Sequence, residues 1–147
     1  MTRYLLDTNV LIALAWPQHI HHASAHAWFG STGHKAWATC PITQLGFARI
    51  SSNPKIISQA VNPRDAMAMV ARIIALPGHE FWADDIVPAT EALFSNLALV
   101  GHRQVTDGYL LALAKHRGGK LATFDHGLPN LAGTAAKHPQ HVVLIDI

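Results

Sequence analysis

The stretch Arg3-Tyr4-Leu5-Leu6-Asp7-Thr8-Asn9-Val10-Leu11-Ile12-Ala13-Leu14-Ala15-Trp16 joins two hydrophobic periods through one carboxylate. Arg3 to Leu6 reads as a short buried strand, and Val10 to Trp16 as the helix that follows it. Asp7 therefore sits where a strand ends and a helix begins, which in open α/β sheets is where ligands bind. Leu121-Ala122-Thr123-Phe124-Asp125 is again a strand delivering an aspartate at its end. A third carboxylate, Asp107, opens the apolar helical run Gly108 to Lys115. If the two strands are neighbours, all three carboxylates converge on one crevice. Like charges raise one another's pKa. A hard divalent cation with oxygen ligands is the usual relief, and Mg²⁺ or Mn²⁺ is the natural choice.

Working outward, strands and helices alternate. His22 to Phe29 reads as a helix ended by Gly30-Ser31-Thr32-Gly33, and Ala36 to Cys40 as a strand stopped by Pro41. Thr43 to Ile50 is a helix closed by the turn-like Ser51-Ser52-Asn53-Pro54. Asn62-Pro63-Arg64-Asp65 starts a helix through Leu76, with Met67, Val70, Ile73 and Ile74 on one face. His79 to Trp82 is a short strand and Pro88 to Leu99 a further helix. The Asp107 helix ends at Gly118-Gly119, and Lys120 to Phe124 and Val142 to Ile145 close the chain as strands. Strands separated by helices predict an α/β fold with a central, mostly parallel sheet flanked by helices on both faces. A length of 147 residues without repeats suits one domain, 1–147.

Hydrophobic residues make up 50% of the chain and charged ones 14%, enough apolar surface to fill a core and to leave some for a partner, a second copy included. The formal charge of +2 is a mild bias toward polyanions, far from the clustered charge of a dedicated nucleic-acid binder. The single cysteine, Cys40, excludes an intrachain disulfide and fits a reducing cytoplasm. Asp7 interrupts the first apolar run too early for a signal peptide, and nothing approaches the ~18 apolar residues of a membrane span. A soluble cytoplasmic protein without a membrane role is the expectation.

Each aspartate also has an ordinary reading. Asp7 could cap the first helix, Asp107 could complement a helix dipole, and Asp125 before His126-Gly127 could be a turn residue. Two of them directly follow buried strands, however, and capping is compatible with metal binding. His22 and His26 stand at i, i+4, a spacing that suits a transition metal, but no accompanying carboxylate supports zinc and a polar surface face explains them equally. Trp16, Trp28, Trp37 and Trp82 lie in apolar stretches and read as core or interface.

Taken together, Leu6-Asp7-Thr8-Asn9, then Thr106-Asp107 leading a Leu/Ala-rich helix to Gly118-Gly119, then Lys120 to Asp125, resemble the PIN-domain nucleases. Within them the likeness is to the VapC toxins of bacterial toxin–antitoxin pairs. Cys40 to Arg49, followed by Ser51-Ser52-Asn53-Pro54, resembles one VapC subgroup. The resemblance implies a single PIN domain acting as a Mg²⁺- or Mn²⁺-dependent endoribonuclease that hydrolyses RNA phosphodiester bonds. It also implies a cognate VapB-like antitoxin as partner, and the apolar composition adds a homodimer. On this reading Asp7, Asp107 and Asp125 hold the cation, Thr8, Asn9 and Thr123 keep the carboxylates aimed, and Arg49, Lys55 and Arg103 position phosphate, with His102 and His126 nearby.

One position departs from the pattern. PIN nucleases generally carry a glutamate on the helix after the second strand, a few residues before a basic one, and Gln44 stands at that place. An amide offers an oxygen but no charge. Gln44 is expected to orient a metal-bound water; its ordinary alternative is a hydrogen bond to Thr43 or the backbone. Asp84, Asp85 and Glu91 are candidate substitute carboxylates. The rival function is a catalytically weak or inactive PIN fold that binds RNA or protein. A phosphatase of the haloacid dehalogenase type would want an aspartate where Asn9 stands, and a receiver domain an acidic pair that is absent.

Overall fold

Tyr4–Leu6 forms strand β1, and the other strands are laid on either side of it. The computed structural model describes residues 1–92, 97, 99, 101–132 and 140–147. Strands β2 (Trp37–Thr39), β3 (His79–Phe81), β4 (Lys120–Thr123) and β5 (Val142–Leu144) complete a sheet of order β3-β2-β1-β4-β5. All four pairings are parallel, so the mostly parallel sheet expected from the sequence is wholly parallel among the described strands. The chain leaves β1 toward β2 and β3, then returns to add β4 on the other side. The switch point of the topology thus lies between β1 and β4, where open α/β sheets place their ligands.

Side chains alternate between the two faces of a strand, and both faces are covered. Leu5, Ala38, Leu121 and Val142 pack on one side with helix α5 (Val105–His116). Leu6, Trp37 and Ala122 pack on the other, where α1 (Thr8–Ala15), α2 (His22–Ser31), α3 (Pro41–Ser51) and α4 (Pro63–Ile74) lie. Helix α5 is buried without interruption from Gly108 to Ala114, which is why its sequence is apolar on every face rather than on one stripe. Trp37 and Trp82 are fully buried core residues, as their apolar contexts predicted.

Several boundaries differ from the sequence expectation for local reasons. Pro41 does more than stop β2: it is the first residue of α3, where its missing N–H is not needed. Helix α4 is capped by Asn62 as expected but ends at Ile74, and Met67 lies exposed while Val70 carries the buried contact. Strand β3 ends at Phe81, one residue before Trp82 turns into the core. The helix expected over Pro88 to Leu99 falls partly outside the described residues, and Pro88 to Thr90 form a turn.

The two glycines after α5 do different work. Gly118 has φ +68°, the left-handed conformation that ends a helix and that side chains resist. A Cβ on Gly119 would meet the Arg3 carbonyl at 2.6 Å and the Trp82 ring at 2.8 Å, so β4 can enter the sheet beside β1 only with glycine there. Gly118→Ala is therefore expected to cost about 1 kcal/mol, and Gly119→Ala more, because the sheet backbone itself must move. Urea denaturation of the two variants checks the order; an equal or smaller loss for Gly119→Ala would contradict this packing.

Candidate active site

The register of β1 on β4 sets Leu6 opposite Ala122, and the Asp7 N–H donates to the Ala122 carbonyl at 2.9 Å. The next residues on the two strands, Asp7 and Thr123, are thereby neighbours. The Thr123 hydroxyl donates to Asp7 Oδ2 at 2.8 Å and accepts the Asp125 N–H at 3.0 Å. Asn9 Nδ2 donates to the same hydroxyl oxygen at 3.4 Å, and Asn9 Oδ1 accepts the Phe124 N–H at 3.4 Å. Asp7 Oδ1 accepts the Thr8 N–H at 2.8 Å and caps α1, so the capping reading holds together with the site reading. Asp125 Oδ1 accepts the Gly127 N–H at 2.8 Å, the turn expected of Asp125-His126-Gly127. Asp107 arrives from the first turn of α5.

These three carboxylates line one cleft of about 680 Å³, together with Thr8 and Asn9. Burial is the main force raising the Asp7 carboxyl above its usual range. The Thr123 and Thr8 hydrogen bonds oppose that rise, and the Asp125 charge adds to it. Asp107 is pushed up to about 6, first by burial and then by the charges of Asp7 and Asp125. The ion pairs among the described residues are Arg3 with Glu80 and Asp85 with His116 and Arg117; none reaches the cleft. Among the described residues, negative charge is thus concentrated in the cleft without an ion-pair partner.

The donor set around the three carboxylates suits a hard divalent cation: Asp7, Asp107 and Asp125 offer carboxylate oxygens, with the Thr8 hydroxyl and the Asn9 amide beside them. Among the described residues no three His, Cys, Asp or Glu side chains close tightly enough to hold an ion on their own. Mg²⁺ does not require such a cage: it commonly keeps several waters and takes one or two carboxylates.

Other expected residues fall elsewhere. Gln44 does not reach the cleft: its Nε2 donates to the Thr39 hydroxyl at 3.0 Å, which also bonds His79 Nε2 at 2.7 Å. Successive helical residues are about 100° apart, and the α3 position set against α1's first turn is Gly46, whose Cβ would lie 2.7 Å from Thr8 Oγ1. Gly46 stands three residues before Arg49 and has no side chain to give. Asp84 is taken by the Tyr109 hydroxyl at 2.6 Å, Asp85 by Arg117 at 2.9 Å, and Glu91 does not line the cleft, so none of the three substitutes for a fourth carboxylate. Arg49 and Lys55 are exposed and do not line the cleft; Lys55 stands next to Ile56, which does. Arg103 lies in the turn before α5, with its side chain outside the described residues. His102 and His126 are exposed and also outside the lining.

The paired histidines have a structural task. His22 Nδ1–H donates to the Ala13 carbonyl at 2.7 Å and His26 Nε2–H to the Leu14 carbonyl at 2.8 Å, so both satisfy carbonyls at the end of α1. Sequence reasoning missed the long wall of the cleft: Ile12, Trp16, His19, Ile20, Ile50 near the end of α3, and the loop residues Ile56 and Ile57. The signal available was the clustering of isoleucines just after α3, in a stretch that has no sheet or helix to fill.

Residues 4–134 match the PIN domain, a span that includes four of the five strands and all three aspartates; the chain belongs to that family. Within it the likeness is to VapC ribonucleases. The chain is 44% identical to Ribonuclease VapC38 of Mycobacterium tuberculosis, over 96% of this chain and 98% of that protein. It is 46% identical to Ribonuclease VapC39 of the same species, over 87% and 92%. Its fold is also similar to that of VapBC2 from Rickettsia felis bound to a DNA fragment from their promoter. The TM-score there is 0.62 over 98% of this chain and 99% of that one, at 10% identity, a likeness of fold alone.

The raised Asp107 carboxyl has a thermodynamic consequence. Between its ordinary 3.8 and about 6 the folded chain binds more protons than the unfolded one, so stability falls as pH rises through that window. With chelator present, Asp107→Asn is expected to melt above the parent at about pH 7.5, with the gap closing near pH 4. Thermal melts across pH check this, and a gap that does not change with pH would contradict it.

Proposed function

We propose that this protein is a Mg²⁺- or Mn²⁺-dependent endoribonuclease that serves as the toxin of a type II toxin–antitoxin pair in the cytoplasm. The carrying observation is the meeting of Asp7, Asp107 and Asp125 in one cleft, at the sheet's switch point, with no basic partner among the described residues. Membership of the PIN family and the named ribonuclease relatives support RNA as the substrate.

Asp7, Asp107 and Asp125 would hold the cation. When bound, it supplies charge to stabilise the scissile phosphate and acidifies a water for attack. The Thr123 hydroxyl keeps Asp7 and the turn carrying Asp125 in fixed relation, and Asn9 ties that hydroxyl to the start of α1. Thr8 closes the floor of the cleft against Gly46. Arg49, Lys55 and Arg103 remain candidates for drawing RNA toward the cleft from outside it. The solved VapBC complexes support a VapB-like antitoxin as partner. Such a partner could set a basic side chain among the carboxylates, where it would replace the cation's charge. Exposed Leu45, Phe81, Val87 and Val105 give apolar surface for a homodimer.

A weak or inactive PIN fold is the second reading, and Gly46 is what favours it, because the helix that faces Thr8 brings no fourth carboxylate.

The purified protein is expected to cut single-stranded or looped RNA with Mg²⁺ or Mn²⁺ and not with EDTA. Asp107→Asn should lower the rate about a hundredfold or more, the scale of removing a charge-stabilising group. Gln44→Ala should stay close to the parent. Cleavage that survives both EDTA and Asp107→Asn would overturn the metal reading; no cleavage by the folded parent in either metal would favour the inactive one. Sedimentation is expected to give a dimer, and a monomer at every concentration would contradict the homodimer.

A further inference from the structure

The cleft extends past the carboxylates into a wall that phosphodiester hydrolysis itself does not use. His19 lines that wall, on the loop between α1 and α2. Its ring is held from one side: Nδ1 accepts the His21 N–H at 3.0 Å, so the neutral ring carries its proton on Nε2. The His21 ring in turn stacks on Phe124, with centroids 4.8 Å apart and planes at 24°, and lies 5.6 Å from the His19 ring. Phe124 is the residue before Asp125. An aromatic ladder, Phe124–His21–His19, therefore connects the strand end that bears a site carboxylate to the wall of the cleft. The same cleft is lined by Trp16 and by Ile56, Ile57 and Ser58 of the loop after α3, and Gln18 Nε2 bonds Gln59 Oε1 at 3.3 Å between the two loops.

Such a slot has the wrong character for a phosphate clamp. Burial, with His21 and His22 close by, lowers the His19 pKa, so the ring is an uncharged aromatic surface with one N–H donor. Unpaired bases of single-stranded RNA bind surfaces of that kind, by stacking on the ring and by hydrogen bonds to their edges.

We propose that His19 forms a base-stacking subsite for an unpaired RNA nucleobase close to the scissile phosphate, with its Nε2–H donating to an acceptor on the base edge. The inference rests on the ribonuclease reading for its ligand class. It makes His19 a substrate-selecting residue that favours single-stranded over paired RNA, because a base in a duplex cannot enter the slot.

The ring and the turn it stabilises can be separated. His19→Asn keeps an oxygen able to accept the His21 N–H, as in an Asx-turn, but loses the ring. His19→Phe keeps the ring and loses the turn bond. Both are made in the non-cleaving Asp107→Asn background, and binding of a fluorescein-labelled single-stranded RNA of about ten nucleotides is read by anisotropy in Mg²⁺. His19→Asn is expected to weaken binding about tenfold, the scale of one lost base stack, and His19→Phe to recover most of it. An abasic position scanned along the RNA should at one place cause the same loss, with no further loss when combined with His19→Asn. The inference is overturned if His19→Asn binds like its background, if every abasic loss adds to it in full, or if the background protein does not bind the RNA. Failure of the parent to cleave would sink the ribonuclease reading while this binding comparison still decides the subsite.

Discussion

Parallel pairing of β1 with β4, Leu6 opposite Ala122, determines where each charged group of the cleft falls. One residue beyond that pair, the strands deliver Asp7 and Thr123 side by side, and a single hydroxyl then serves three partners: the Asp7 carboxylate, the Asp125 N–H and the Asn9 amide. A slip of one residue would turn Leu6 to the wrong face and part the hydroxyl from the carboxylate. The register is secure because both faces of the sheet are buried. Leu5 and Leu121 must face α5, while Leu6 and Ala122 must face α1 and its neighbours.

That arrangement works against stability at the point where it gathers charge. Asp7 is buried and Asp107 half-buried, and each is harder to ionise, first for its burial and then for neighbouring charge: Asp125 acts on Asp7, and Asp7 and Asp125 act on Asp107. Buried carboxylates without a cation are among the costlier features a fold can carry. The surroundings offset the cost: Leu110, Leu111, Leu113 and Leu121 are all at 1% exposure or less, and full burial of each is worth about 2 kcal/mol. Helix α5 thus has two tasks. Its apolar body anchors the sheet, and its first turn holds Asp107 over the cleft. Strain of this kind at a functional site is the usual trade between stability and activity.

Much of this was legible in the chain because the features are local. A strand period ending in aspartate and followed by a helix places Asp7 and Asp125 at strand ends, and the unbroken apolar run after Asp107 identifies a helix buried on all sides. Features that depend on helix rotation or on loops meeting in space were not legible. Gln44 stands at the glutamate-like place in the chain, but which way its amide turns depends on its neighbours: it donates to Thr39, while Gly46, two residues on, is set against Thr8. His22 and His26 share a helix face as their spacing says, but what they meet is the end of α1, a contact made by a different element. The cleft wall needed two loops, after α1 and after α3, whose approach has no periodic signature.

The central claim is that Asp7, Asp107 and Asp125 exist together to hold a divalent cation. Crystals soaked in Mn²⁺ and measured for anomalous scattering test it most directly. The account predicts a manganese peak in the cleft, at coordination distance from oxygens of at least two of the three aspartates, with water filling the remaining positions. Absence of any peak there in a well-ordered crystal, with the carboxylates instead paired to a basic side chain of the same chain, would contradict it.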